Sequence, residues 1–195
     1  MKTLQEKLLQ QNYKDLQESY RALKQKESIN QIITNFAIAV LQQNTLDEIM
    51  WAIAKNAIAK LGFVDCVVYL VDDEKQILIQ KAAHGPKNPI AFEIKDPITL
   101  PIGKGVVGMV AKTGVPEIVG DTSKDHPRYI IDDAIRLSEL AVPIIIEGKV
   151  IGVIDSEHPN KNFYTQEHLN ILTTIALMSA TKISNAITKE KFEAY

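Results

Sequence analysis

Residues 103–143 read GKGVVGMVAKTGVPEIVGDTSKDHPRYIIDDAIRLSELAVP. The stretch opens on closely spaced glycines, crosses a polar loop and closes on an apolar run with strand character. Within it, Gly105–Lys112 can form a small helix stopped at Gly114, and Pro116–Val119 a short strand. Gly120–Pro127 is polar loop, Arg128–Leu137 is compatible with one more short helix, and a strand starts at Ser138.

Outward from this centre the punctuation is uneven. All nine glycines and all eight prolines fall between Gly62 and Pro159, so the first 61 residues and the last 36 contain neither. Gly and Pro interrupt helices, and two Gly/Pro-free arms around a punctuated middle predict helical flanks on a compact domain.

In the first arm Leu9, Tyr13, Leu16, Tyr20 and Leu23 alternate at spacings of four and three, a heptad seam set among Gln, Lys and Glu. The frame then shifts to Ile29, Ile33, Phe36 and Val40, as at a stutter. The seam predicts pairing with a second chain, although a helix lying on its own domain would carry a similar stripe. After a break at 42–45, Thr45 and Glu48 form a capping box. The helix they start carries Leu46, Ile49, Met50, Ile53, Ala57 and Leu61 along one side and ends at Gly62.

Val64–Asp72 and Gln76–His84 read as a hairpin, and Ser138–Glu147 with Val150–Ser156 as another, turned at Gly148-Lys149. Their strands are apolar on both faces, which requires cover on both sides of the sheet. Between the hairpins, 85–97 is an irregular excursion with three prolines. Thr165 caps a last helix whose stripe is Leu169, Leu172, Ile175, Ala176, Ser179, Ile183 and Ala186, with His168 where a capping acid would stand.

The totals exclude several classes. A formal net charge of −2 provides no field suited to nucleic acid or an anionic membrane. No apolar run approaches a bilayer span, and MKTLQEKLLQQ lacks the apolar core of a signal peptide, so a cytoplasmic protein is expected. One cysteine excludes an intrachain disulfide and a multi-cysteine metal site.

The order of elements resembles the GAF domain family. The resemblance rests on Gly103-Lys104-Gly105-Val106-Val107-Gly108, Gly114-Val115-Pro116, Asp121, the segment Asp125-His126-Pro127-Arg128-Tyr129, Ser138-Glu139-Leu140-Ala141-Val142-Pro143, Gly148-Lys149-Val150-Ile151-Gly152-Val153, and Phe163 ahead of the terminal helix. It implies an α+β fold, an α/β sandwich with a central antiparallel sheet of about six strands. Helices would cover one face, and pocket-forming loops and short helices the other. The implied organisation is a helical arm at 1–44, partly coiled coil, a GAF domain at 45–188 with its C-terminal helix, and a tail at 189–195.

Around the mouth of that implied pocket the sequence puts Asp121, Ser123, His126, Arg128, Tyr129, Asp133, Ser138 and Glu139. These are the candidate ligand-binding residues, although charged residues also populate any solvated loop. Competing motifs fare worse. GKGVVG fits G-x-G-x-x-G, but Pro101 interrupts the segment before it and Gly114-Val115-Pro116 stops the helix after about two turns, which argues against a dinucleotide fold. Asn160-Lys161, Phe163 and Glu167-His168 approximate the signature of cyclic-nucleotide-binding GAF domains. Glu and His replace the expected Asp and Glu, however, and a turn anchored by Phe163 explains them better. Cys66, mid-strand among apolar residues, reads as an inert small hydrophobe. His84, His126, His158 and His168 have no metal-ligand spacing, and Ser138 lacks a nucleophile elbow.

The expectation is therefore a non-catalytic sensory or regulatory module with no cofactor and no metal. It would bind an unidentified small molecule, form a homodimer through its N- and C-terminal helices, and signal to a partner protein in trans. The alternatives are a reductase of the methionine sulfoxide type on the same fold, for which Cys66 alone supplies no redox pair, and a structural dimerisation adaptor without ligand.

Overall fold

The computed structural model describes residues 3–85, 87, 92–124 and 136–193, apart from the side chains of residues 58, 191 and 193. A first helix, α1 (Leu4–Leu41), runs unbroken through the shift of heptad frame. The chain divides into two compact units, residues 1–35 and residues 36–195. The first unit is helix α1 up to Asn35, and it carries Leu9, Tyr13, Leu16, Tyr20 and Leu23 as exposed side chains.

The second unit contains the last turns of α1, with Phe36 and Val40 buried, and then α2 (Leu46–Leu61). The capping box forms as the residue types require. The Thr45 hydroxyl accepts from the Glu48 N–H at 3.2 Å, and the Glu48 carboxylate accepts from Thr45 and Asn44 N–H groups at 3.0 and 2.9 Å. Those backbone donors, Asn44 first, hold the Glu48 carboxyl below its ordinary range.

The strands are β1 (Cys66–Asp72), β2 (Ile77–His84), β3 (Thr99–Pro101), β4 (Glu117–Val119), β5 (Ser138–Ile146) and β6 (Lys149–His158). They form one sheet in the order β3-β2-β1-β6-β5-β4, with every pair antiparallel. The two sequence hairpins, β1–β2 and β5–β6, meet at the β1–β6 pair in the middle of the sheet. A nine-residue helix, α3 (Gly105–Thr113), ends at Gly114, whose φ of 68° is the left-handed geometry of a helix stop. The last helix is α4 (Gln166–Glu193). No helix among the described residues is long and apolar enough to cross a membrane.

Strand periodicity sorts the core into two layers. Val67, Tyr69, Leu78, Ala83, Ala141 and Val153 pack with Val106, Val107, Val110 and Ala111 of α3. The alternate residues, among them Val68, Val142 and Ile154, are fully buried on the other face, where α2 and α4 pack on the sheet. The glycines of GKGVVG serve this packing. A Cβ on Gly108 would run into the carbonyl oxygen of Pro101, so only glycine lets α3 lie this close to the end of β3. The helix-side layer predicts that Ile154→Ala destabilises the domain by about 2–5 kcal/mol in urea unfolding, because its site is closed on all sides.

Candidate functional site

At one end of the sheet, the α3 face carries acid. Glu139 pairs with Glu157, and Ala141 with Asp155, across β5 and β6. Directly paired residues share a face, and the i, i+2 spacing puts Asp155 and Glu157 on one side of β6. Val67, the β1 partner of Asp155, belongs to the α3-side core, which fixes that side. Glu139, Asp155 and Glu157 are all at most 4% exposed.

Together with Tyr69, Lys87, Leu100 and the start of α3 (Lys104 to Val107), these carboxylates line a space of about 20 Å³. That is room for roughly one water molecule. Lys87 pairs with one of the carboxylates at the edge of this space: its Nζ lies 2.6 Å from Glu157 Oε2, with the two side chains 2% and 5% exposed. Larger hollows occur on helix surfaces, of about 840 Å³ along Leu16–Ser28 and about 510 Å³ beside Trp51 and Phe92. Both are open to solvent, and among the described residues neither brings a comparable set of buried charges together, so the small acidic space is the candidate site.

Two local devices aim the groups. Gly85, directly after β2, has φ of +101°, and a Cβ there would come within 2.5 Å of the Val64 carbonyl oxygen. Only glycine turns the chain this tightly, two residues before Lys87. Asp65, just before β1, accepts the Glu157 N–H on Oδ1 at 2.7 Å, and Ser156 Oγ donates to the Asp65 carbonyl at 2.6 Å. Arg136 stands 3.8 Å from Asp65 Oδ2. The end of β6 that bears Glu157 is thereby tied to the start of β1.

Residues 43–180 match the family described as GAF domain. The chain belongs to the GAF domain family. Among curated proteins, it is 34% identical over 79 residues to Protein YtsP of Bacillus subtilis, covering 40% of this chain and 48% of that protein. It is 29% identical over 118 residues to the free methionine-R-sulfoxide reductase of Saccharomyces cerevisiae, covering 60% of this chain and 59% of that protein. The matches thus span about half to three fifths of those relatives. Among solved structures, the GAF domain of a phosphoenolpyruvate-protein phosphotransferase from Coxiella burnetii superposes with a TM-score of 0.76 at 20% identity, covering 85% of this chain and 98% of that one. The free methionine-R-sulfoxide reductase of Neisseria meningitidis, solved with its substrate, gives a TM-score of 0.73 at 20% identity, covering 83% and 91%. At such identities the likeness establishes the shared fold.

The residues expected at the pocket of this GAF domain fall in different places. Glu139 lines the acidic space. Its neighbour Ser138, fully buried, donates through Oγ to the Asn160 carbonyl at 2.7 Å and holds the turn after β6. Asp121 and Ser123 build a surface cluster instead. Ser123 Oγ donates to Asp121 Oδ1 at 2.5 Å, and Lys161 Nζ to Asp121 Oδ2 at 2.9 Å. The Ser123 hydrogen bond, followed by Lys161, lowers the Asp121 pKa to about 2. Lys161 of the cyclic-nucleotide-like signature therefore pairs with Asp121. His126, Arg128, Tyr129 and Asp133, and the helix expected at 128–137, lie outside the described residues apart from Arg136 and Leu137.

Tyr69, Lys87, Asp155 and Glu157 were not among the expected residues. A signal existed for two of them: Asp155-x-Glu157 interrupts an otherwise apolar strand with acids on a single face. No comparable signal marks Lys87. Cys66 lies on the other face of the sheet from the acids, fully buried, and burial pushes its thiol well above the ordinary range. Among the described residues no group of three or more His, Cys, Asp or Glu is arranged to hold a metal.

Where β6 meets α4, the rings of Phe63, His158, Phe163, Tyr164 and His168 cluster, with His158 stacked on Phe163 at 3.6 Å. Both imidazoles are used as acceptors: His158 Nδ1 from the Asn160 N–H at 3.0 Å, and His168 Nδ1 from the Thr165 N–H at 3.3 Å. His168 thus does the work of the missing capping acid. Desolvation first of all lowers both pKa values below 6.5. A lowered histidine pKa contributes stability above 6.5 that is lost as pH falls through the folded-state value. Melting temperature should hold from pH 8 to 7 and decline below pH 6.5, and His168→Gln, which caps at any pH, should flatten that decline. An unchanged slope in this variant would mean that His168 contributes nothing to it.

Proposed function

We propose that this GAF domain is a non-catalytic ligand-binding module that recognises a small molecule through an ammonium group at Glu139, Asp155 and Glu157. The observation that carries the reading is the convergence of three buried carboxylates on the α3 face of the sheet. Carboxylates withdrawn from water gain more from a cation than exposed ones do, and an ammonium can donate to several of them at once.

Two of the relatives are free methionine-R-sulfoxide reductases, so the competing reading is catalysis. Thiol-based reduction of a sulfoxide needs an accessible thiolate and a second thiol to resolve the oxidised sulfur. The sequence has one cysteine, and it is buried on the face of the sheet away from the carboxylates. This supports binding without turnover. With dithiothreitol as reductant, no consumption of L-methionine sulfoxide is expected. Turnover that disappears in Cys66→Ser would establish the reductase reading instead.

Signalling would pass through the helices. Leu9, Tyr13, Leu16, Tyr20 and Leu23 are each more than three-fifths exposed on α1, and a heptad seam of this kind is buried by a second copy of the same helix. We extend the proposal to a homodimer that couples ligand occupancy to helix packing and is read by a partner protein in trans. Sedimentation of the full chain should give a dimer that becomes monomeric in Leu16→Lys/Tyr20→Lys. A wild-type monomer at micromolar concentration would refute the dimer without touching the ligand site.

A further inference from the structure

We infer that Lys87 is a tethered competitor: its ammonium occupies the cation position of the acidic space, and an external ammonium must displace it. This rests on the reading of Glu139, Asp155 and Glu157 as a cation site. The ion pair with Glu157, at 2.6 Å, is almost wholly out of water on both sides. Lysine is rarely this buried unless paired, and the space it leaves would hold about one water but not a metabolite. The structure therefore describes a self-occupied site.

Lys87 is suited to competition rather than to permanent bracing. It lies just beyond the end of β2 and is not one of the paired residues of the β1–β2 ladder. A group tethered by a short stretch of chain acts at an effective concentration on the order of millimolar. A free ligand sees the site only in the fraction of molecules from which Lys87 has withdrawn, and its apparent affinity drops by that fraction. The device sets a threshold. Monoamines displace Lys87 only at high concentration, whereas a ligand with further groups for Tyr69, Lys104 or the start of α3 does so at a lower one. Lys87 in this view determines specificity without taking part in any reaction.

The full chain can be tested with n-butylammonium, the lysine side chain freed from its backbone, and with n-butanol as the uncharged control. Lys87→Ala should melt lower than wild type, since it removes a buried cation 2.6 Å from the Glu157 carboxylate. Butylammonium should restore it, butanol should not, and half-saturation should come at a concentration about tenfold below that for wild type. The response should vanish in Lys87→Ala/Glu157→Gln. Where Lys87→Ala does not fold, Lys87→Met keeps the side-chain length without the charge, and methylammonium becomes the probe with the same expected ratio. Equal half-saturation in wild type and variant would overturn the competitor and leave the cation site standing. No response to either amine in either protein would overturn the cation site as well.

Discussion

The antiparallel pairing of β1 with β6 in the middle of the sheet is the constraint on which the rest of the molecule depends. Both strands are apolar on both faces, so neither can be left facing water. One face takes α2 and α4, and the other takes α3. The pairing also fixes where polar groups can sit. Asp65 at the head of β1 reaches the backbone of β6 at Glu157, and Ser156 reaches back to Asp65 and to the Tyr164 hydroxyl. The same end of the sheet therefore holds a hydrogen-bonded polar network around Asp65, Ser156 and Tyr164 and, on the α3 face, the acids.

That network has a functional consequence. Three carboxylates in a space the size of a water molecule repel one another unless cations stand close by. Lys87 meets the requirement at 2.6 Å, and Lys104 lines the same space at the start of α3, where the helix dipole adds partial positive charge. Lys87 already makes the kind of contact that the proposed ammonium ligand would use. In the proposed reading, recognition and self-occupation are two states of one electrostatic problem.

Much of the fold was legible because it depends on short-range rules. The Gly/Pro distribution located the helical flanks, the Thr45–Glu48 box began α2 where expected, and Gly114 stopped α3. Two-sided apolar strands demanded a covered sheet, and the sheet is covered. The site was less legible. Glu139 was expected at the pocket and lines the acidic space, but Asp121, Ser123 and Ser138 tie loops and turns together. A polar loop residue looks alike in sequence whether it faces a ligand or its own backbone, because both tasks use the same donors and acceptors.

The sequence by itself determined the family, the order of the elements, the two-faced core and the isolation of a single cysteine. The family followed from the resemblance of the motif set, and the rest from periodicity, turn chemistry and counting, all of which act within a few residues. Only the tertiary structure decided that Glu139, Asp155 and Glu157 share a face, that Cys66 does not, and that Lys87 closes the group. The first two depend on strand register, and the third on a contact between segments some 70 residues apart, with a tight turn at Gly85 just before Lys87. A one-residue slip of β6 would turn its acids to the helix side, and no local pattern in the chain specifies that register.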